Sequence, residues 1–203
     1  MPLPQIKLSL LDRLFQSKSQ FKIDQWLISR RAKSEKGINI GCGNHPIDGL
    51  INVDKFSPYA DIKIDFSQLE SAFDKNVDHI EAHHVIEHLS FSQVNEFIKI
   101  CFNILSNNKI GTLVITCPDM NKVCKKFLAN DVVESPKEDR IPYVWKMIYG
   151  SQEHEGMFHR SGFTEKSLES LLRKIGFEIM LKHSPFPNRS TPSICVIAVK
   201  NEK

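Results

Sequence analysis

Residues 38–54 read INIGCGNHPIDGLINVD, and this stretch decides the fold. It begins as a short apolar strand, bends through two glycines at positions 41 and 43, and ends in a second strand that Asp54 follows. Only the ten residues 41–50 separate the two strand patterns, whereas a crossover between parallel strands normally needs a dozen or more. The pattern therefore predicts two adjacent strands whose connecting helix is a turn or two at most.

Two kinds of nucleoside ligand suit a glycine turn that an acidic residue follows. The turn lets a ligand approach the backbone, and the carboxylate of Asp54 can accept hydrogen bonds from both ribose hydroxyls. A nicotinamide dinucleotide also needs the pattern G-x-G-x-x-G and a helix N-terminus facing its pyrophosphate. Pro46 stands where the third glycine would be, and the crossover is short. An adenosyl ligand is therefore favoured, and an NAD(P)-dependent oxidoreductase is the weaker alternative.

The composition is that of an ordinary soluble protein, and we treat residues 1–203 as one domain. The net charge of +3 is too small to indicate nucleic acid. Residues 1–36 hold eight Lys/Arg and three Asp/Glu, so this N-terminal helical arm either contacts an anionic partner or is simply a solvated helix face. No run is apolar and long enough to predict a membrane span, and the first residues are not expected to form a secretory signal. Its five scattered cysteines form no CxxC pair, which favours a cytoplasmic protein without disulfides.

The remaining pattern alternates strands and helices. Strands are predicted at 37–40, 50–54, 62–66, 77–82, 110–116, 176–183 and 194–200. Helices are predicted at 9–30, from Ser90 to about Asn107, and from Thr164 to Ile175. This order indicates an α/β layer structure with a mainly parallel sheet and an antiparallel pair at the C-terminus. Residues 131–162 interrupt the alternation and are predicted to be a lid or an acceptor-binding insertion.

Four segments are similar, in order, to the motifs of class I S-adenosylmethionine-dependent methyltransferases. They are residues 38–54, IEAHHVIEHLS (80–90), GTLVITCPD (111–119) and HRSGFTEKSLESLLRKIGFE (159–178). The first resembles the compressed motif of the methyltransferase type 11 subgroup. The resemblance covers roughly residues 37–180 and implies a Rossmann-like fold: a mainly parallel central sheet, an antiparallel C-terminal strand and helices on both faces.

The resemblance also implies a function and its cofactor. The chain would use S-adenosyl-L-methionine to methylate a small-molecule or glycan-like acceptor. A nucleic-acid acceptor is disfavoured, because no aromatic and basic platform is evident and no N-P-P-Y-like signature follows the fourth strand. Asn39 stands where the family often has an acidic residue, and His45 where it often has a third glycine. These departures motivate the alternative of a non-catalytic member that binds the nucleoside or a partner protein.

Eight cofactor contacts follow from the resemblance. Gly41, Cys42 and Gly43 would pass under the methionyl part of the cofactor. Asp54 would hold the ribose, whereas Asp65 and Phe66, at the end of the third strand, would contact the adenine edge. Ala82 and His83, at the end of the fourth strand, would border the methionyl amino group.

The histidines are the candidates for acid–base chemistry. His84 and His88 are spaced i, i+4 beside Glu87 and could bind a metal on one helix face. No third ligand stands at motif spacing, so no metal site is predicted. Methyl transfer mainly requires alignment, but a base near neutral pKa helps when the acceptor is a hydroxyl or a protonated amine. We predict His159 as the first candidate base and His84 as the second.

Aromatic residues near the C-terminal histidines have two open interpretations. Trp145, Tyr149 and Phe158 either wall an acceptor pocket or cap the sheet as part of the core.

Overall fold

The computed structural model describes residues 20–107, 110–129, 143–183 and 192–200. The helices are α1 (Gln20–Lys33), α2 (Leu69–Ala72), α3 (Phe91–Ile104), α4 (Met120–Leu128), α5 (Tyr143–Tyr149) and α6 (Glu165–Ile175). The strands are β1 (Gly37–Ile40), β2 (Ile51–Val53), β3 (His79–His83), β4 (Gly111–Pro118), β5 (Phe177–His183) and β6 (Ser193–Lys200). Residues 1–19 of the predicted arm and 131–142 of the predicted insertion lie outside the described residues.

The six strands form one sheet in the order β2-β1-β3-β4-β6-β5. β1 pairs in parallel with both β2 and β3, and β3 pairs in parallel with β4. β6 runs antiparallel to both of its neighbours, β4 and β5. The predicted fold class, a mainly parallel sheet with an antiparallel C-terminal strand, is confirmed.

Apolar layers cover both faces of the sheet. Ile38, Ile80 and Leu113 share one face, where they pack with residues of α3 and α6 such as Phe97 and Leu168. On the other face, a smaller cluster joins α1 to the sheet and consists of Ile23, Trp26, Leu27, Val114, Cys195 and Ile197. Helices on both faces are therefore confirmed. Among the described residues, no helix has both the length and the apolar character needed to cross a membrane.

Local capping signals position the two best-predicted helices. Ser90 caps α3 by accepting from the backbone N–H of Gln93, whose side chain reaches back in a capping box. Thr164 caps α6 in the same way, and Gly176 ends it with φ +121°. The end of α3 was predicted too late, since Leu105 already caps it. The apolar side of α3 packs on the sheet, but Phe91, its first residue, is 63% exposed and lies outside that packed side.

The predicted third strand, at 62–66, does not form. Only Ile62 makes an isolated parallel bridge, to Val53. Asp65 instead caps a short 3₁₀ turn, Phe66–Gln68, and the Gln68 side chain completes a capping box. This local bonding competes with strand pairing, so Asp65 and Phe66 begin a helical turn rather than end a strand.

Candidate active site

The two glycines of the turn after β1 have positive φ, +69° at Gly41 and +50° at Gly43, which glycine adopts without strain. The Gly41 N–H donates to the Val53 carbonyl at 2.7 Å and so joins the ends of β1 and β2. A Cβ at Gly41 would overlap the Val85 side chain, whereas a Cβ at Gly43 would meet no atom within 4 Å. Gly41 is therefore required by internal packing, and the open space lies over Gly43.

The Asp54 carboxylate ties this turn to the loop after β2. Its Oδ2 accepts from the Gly43 N–H at 2.9 Å. Its Oδ1 accepts from the N–H groups of Phe56 at 2.7 Å and Ser57 at 2.9 Å. Two donors use both lone pairs of Oδ1, so Oδ2 keeps one for a ligand hydroxyl. Asp54 thus lies against the turn, and it also stabilises its own loop.

An asparagine pair holds the shortened crossover, in which residues 41–50 form turns and no helix. The buried Asn39 donates from Nδ2 to Asn52 Oδ1 at 3.0 Å and to the His45 carbonyl at 3.4 Å. Asn52 Oδ1 also accepts from the Ile47 N–H at 2.8 Å. An acidic residue at position 39 would have no N–H to donate. The geometry of the crossover therefore explains why asparagine rather than an acidic residue stands at position 39. The His45 side chain, at the other departure from the family pattern, is exposed.

Other predicted cofactor residues contact neighbouring side chains or are buried. Asp65 pairs with Lys55 at 3.1 Å, which places it beside the Asp54 loop. Phe66 packs edge-on against Phe97 with ring centroids 5.9 Å apart. Cys42 and Ala82 are buried, so neither offers much side-chain surface to a ligand.

A buried polar network, which the sequence did not predict, surrounds Glu81 on the α1 face of the sheet. Arg31 donates to both Glu81 oxygens, at 2.6 and 2.7 Å. His79 Nε2 lies 2.9 Å from Oε1 and His83 Nε2 lies 2.6 Å from Oε2. Burial alone would raise the pKa of Glu81, but these hydrogen bonds outweigh it and hold that pKa well below its usual value. His83 is therefore anchored from inside the protein.

The turn after β3 does not form the helix that the His84 and His88 spacing suggested. His84 has φ +55°, and only Ile86–His88 is helical, as a 3₁₀ turn. His84 Nδ1 lies 2.8 Å from Glu87 Oε1, and its Nε2 lies 3.2 Å from Ser193 Oγ. His84 therefore contacts Glu87 rather than sharing a helix face with His88, and both of its ring nitrogens have partners.

Two histidines from distant parts of the chain meet beside Glu87. The rings of His88 and His159 are edge to face, with centroids 4.8 Å apart. One potential metal-ligand atom from each of Glu87, His88 and His159 lies within 4.8 Å of the others, and we call this group the His–Glu cluster. Burial lowers the pKa of His159, which favours its neutral ring. The proximity of Glu87 to His159 was not predicted from the sequence, because it depends on the tertiary fold.

Backbone hydrogen bonds fix the His–Glu cluster. The N–H groups of Arg160 and Ser161 both donate to the Glu87 carbonyl, at 2.7 and 3.1 Å. Upstream, Gly150 has φ +80° and lies so close to the Met157 carbonyl that a Cβ there would overlap it. The C-terminal end of the predicted insertion is thus tied to the turn after β3, and His159 is carried with it.

The aromatic side chains beside the His–Glu cluster are not part of the core. Trp145 and Tyr149 stack with centroids 5.8 Å apart, and Phe127 meets Trp145 edge-on at 5.1 Å. Between 38% and 50% of each of these three side chains is exposed, and we call the three the aromatic surface; Phe158 is 38% exposed and is not a core residue either. The backbone N–H of His159 donates to the Tyr149 carbonyl at 3.1 Å, so the aromatic surface adjoins the His–Glu cluster.

These features share one edge of the sheet. Gly41, Asp54 and His84 directly follow the carboxyl ends of β1, β2 and β3, which is where open α/β sheets bind ligands. A surface cleft lined in part by Phe73, Phe102 and Lys200 lies at the other edge, because Lys200 pairs with Gly111 at the start of β4. We assign no role in the candidate site to that cleft.

Comparison with known proteins finds similarity in structure but not in sequence. No protein-family model matches the sequence, and no curated protein matches it. A methyltransferase dependent on S-adenosylmethionine (SAM) from Archaeoglobus fulgidus superposes with a TM-score of 0.57 at 15% identity, covering 95% of this chain and 99% of that one. One from Methanosarcina mazei superposes with a TM-score of 0.57 at 17% identity, covering 83% and 93%.

A third structure was determined with a bound nucleoside product. Magnesium protoporphyrin IX methyltransferase from Synechocystis, with bound S-adenosylhomocysteine (SAH), superposes with a TM-score of 0.55 at 14% identity, covering 93% of this chain and 86% of that one. The strand order, the glycine turn and the superpositions all indicate the same fold. The chain has the fold of the class I S-adenosylmethionine-dependent methyltransferases.

Proposed function

We propose that this protein transfers a methyl group from S-adenosylmethionine to a small-molecule or glycan-like acceptor. The observation that supports this best is the open space over Gly43, beside an Asp54 oxygen with one free lone pair. A ribose hydroxyl can donate to that oxygen, and the methionyl part can pass over Gly43. The fold, which S-adenosylmethionine-dependent enzymes share, supports the same cofactor.

The other cofactor contacts belong to this proposal. Asp65 and Phe66 lie one loop beyond Asp54, where an adenine ring would follow its ribose. The backbone of Gly41 and Cys42, and that of Ala82 and His83, would border the methionyl part, since most of these side chains face inward.

The proposed chemistry is an in-line displacement at the methyl carbon. The bond from sulfur to the methyl group breaks, the acceptor's oxygen or nitrogen bonds to that carbon, and SAH leaves. The acceptor's proton would pass to His159, whose Nδ1 faces the Met147 carbonyl at 2.9 Å and whose Nε2 is left for this role. Both nitrogens of His84 have partners, so we propose that His84 positions Glu87. The aromatic surface would bind an apolar or ring-shaped part of the acceptor.

Calorimetric titration with SAH tests the proposal. We expect binding by the wild type and at least about tenfold weaker binding by Asp54→Asn, because the neutral amide cannot replace a charged acceptor for the ribose hydroxyl. Asp48→Asn is the matched control, since Asp48 is an exposed carboxylate in the same crossover. An absence of binding at millimolar SAH would contradict the proposal, and NADH binding in its place would favour the oxidoreductase alternative.

The non-catalytic alternative requires a second measurement. A protein that binds SAH but transfers no labelled methyl group to any member of a broad acceptor library would be a nucleoside-binding protein. Asn39 no longer favours this alternative, because the crossover explains it.

A further inference from the structure

We propose that the His–Glu cluster is a binding site for a divalent transition-metal ion, ligated by Glu87, His88 and His159. Its two histidines and one carboxylate come from the turn after β3 and from the end of the predicted insertion, and nothing in the methyl-transfer proposal requires an ion there. The sequence suggested no metal site because the third ligand is distant in the chain and only the fold brings it close.

The geometry is near that of a loaded site. The potential ligand atoms lie within 4.8 Å of one another. Around a bound ion with metal–nitrogen distances of about 2.1 Å, they would lie about 3.5 Å apart. The longest separation would have to shorten by about 1.3 Å, through side-chain movement, because hydrogen bonds already hold both backbone segments together.

Each histidine presents one nitrogen to the cluster. His88 Nδ1 lies 3.3 Å from the Phe158 carbonyl, and His159 Nδ1 lies 2.9 Å from the Met147 carbonyl. A carbonyl only accepts, so in both rings Nδ1 carries the proton and Nε2 has the free lone pair. Metal-binding histidines are typically oriented by such a bond from their other nitrogen.

The buried carboxylate of Glu87 is the strongest argument for a bound cation. The side chain is 1% exposed, and its Oε2 has no hydrogen-bond partner among the described residues. An unpaired buried carboxylate oxygen is costly. Its other oxygen is held by His84, which Ser193 holds in turn. A cation between Oε2 and the two imidazoles would satisfy the free oxygen.

The donor set selects the class of ion. Two imidazoles and one carboxylate suit Zn²⁺, Fe²⁺, Co²⁺ or Mn²⁺, whereas Ca²⁺ and Mg²⁺ prefer all-oxygen sites. Three protein ligands leave at least one coordination position open. If the proposed methyl transfer is correct, that position would take an acceptor oxygen, the ion would lower the pKa of its hydroxyl, and the released proton would pass to solvent water. His159 would then be a ligand, since its Nε2 cannot hold an ion and accept a proton together.

Metal titration of the untagged, chelator-stripped full chain tests the site. We use a Cys124→Ser background, because Cys124 is an exposed thiol that could bind zinc. We expect one equivalent of Zn²⁺ to bind and raise the melting temperature, and Co²⁺ to give ligand-field absorption. His88→Gln and His159→Gln should each weaken binding by at least about tenfold, while His154→Gln, which changes an exposed histidine, should leave it unchanged.

The ligand variants differ in the risk that they fail to fold. Glu87→Gln alters a fully buried group and is interpreted only if it melts cooperatively, whereas His88 is partly exposed and its variant should fold. The proposal is overturned if none of Zn²⁺, Co²⁺, Mn²⁺ and Fe²⁺ binds, or if both histidine variants bind as the wild type does. SAH titration of the stripped protein separates the two proposals, because Gly43 and Asp54 need no ion. SAH binding without metal binding would leave the proposed function standing and remove this inference.

Discussion

Among single residues, the two glycines of the turn differ in what a side chain would meet. Gly41→Ala should lower the free energy of unfolding by more than about 2 kcal/mol, because it combines a left-handed φ with overlap on Val85. Gly43→Ala should cost only about 1–2 kcal/mol, the left-handed conformation alone, since nothing lies within 4 Å. Urea denaturation measures both. In Gly41→Ala/Val85→Ala, the part of the loss due to overlap should be recovered.

Gly43→Ala also tests where the cofactor binds. If the cofactor lies over Gly43, Gly43→Ala should weaken SAH binding more than its small effect on stability suggests, because the methyl group enters the ligand's space. Unchanged SAH binding by a folded Gly43→Ala variant would place the ligand elsewhere.

At the scale of elements, α3 depends on its first turn. Ser90→Ala should lower the free energy of unfolding by about 1 kcal/mol, because it removes the side-chain acceptor for the Gln93 N–H. Ser170→Ala is the control, since Ser170 is exposed within α6 and alanine favours helices. Urea denaturation with equal m-values should separate the two variants. Equal midpoints for both would show that this cap adds nothing to stability.

Elements with local signals were predictable, and those with competing or distant partners were not. The caps Ser90, Thr164 and Gly176 stand in the sequence next to the helices they bound. The strand at 62–66 was predicted wrongly because alternation of apolar residues is weaker than the capping box at Asp65. The glycine turn and Asp54 were locatable because one short segment contains both. The His–Glu cluster was not, since Glu87 and His159 are far apart in the sequence and are brought together by tertiary contacts such as the backbone bonds of residues 160 and 161.

For the whole molecule, the contact between α1 and the sheet depends on charge. Asp78 accepts hydrogen bonds from Ser34 and the Glu35 N–H, and Glu81 accepts from Arg31. Burial alone would raise the pKa of Asp78, as it would that of Glu81, but hydrogen bonds outweigh it and both are lowered. A carboxyl with a lowered folded-state pKa stabilises fully at pH values above its unfolded pKa, and that stabilisation is lost as the pH falls from there toward the folded value.

The pH dependence of stability therefore reports on the Arg31–Glu81 pair. Below the unfolded-state pKa of about 4.3, Glu81 should contribute a slope of up to about 1.4 kcal/mol per pH unit. Arg31→Met should cost on the order of 3 kcal/mol at pH 7, because it leaves a buried charge without its main partner, and should flatten the acid slope by raising the pKa of Glu81. Urea denaturation from pH 7 to pH 3 measures both effects.

Arg173→Met is the matched control, because it removes an exposed arginine that pairs with Glu169 on α6, and such pairs contribute less than about 1 kcal/mol. His79, His83 and Asp78 remain in both variants, so the difference between the two pH curves isolates the bidentate pair. Parallel curves for Arg31→Met and the wild type would mean that Glu81 keeps its lowered pKa without Arg31. The two histidines would then suffice to hold the carboxylate, and α1 would be attached to the sheet by its apolar contacts and by the Arg30 hydrogen bonds to Thr112 Oγ1 and the Asp78 carbonyl.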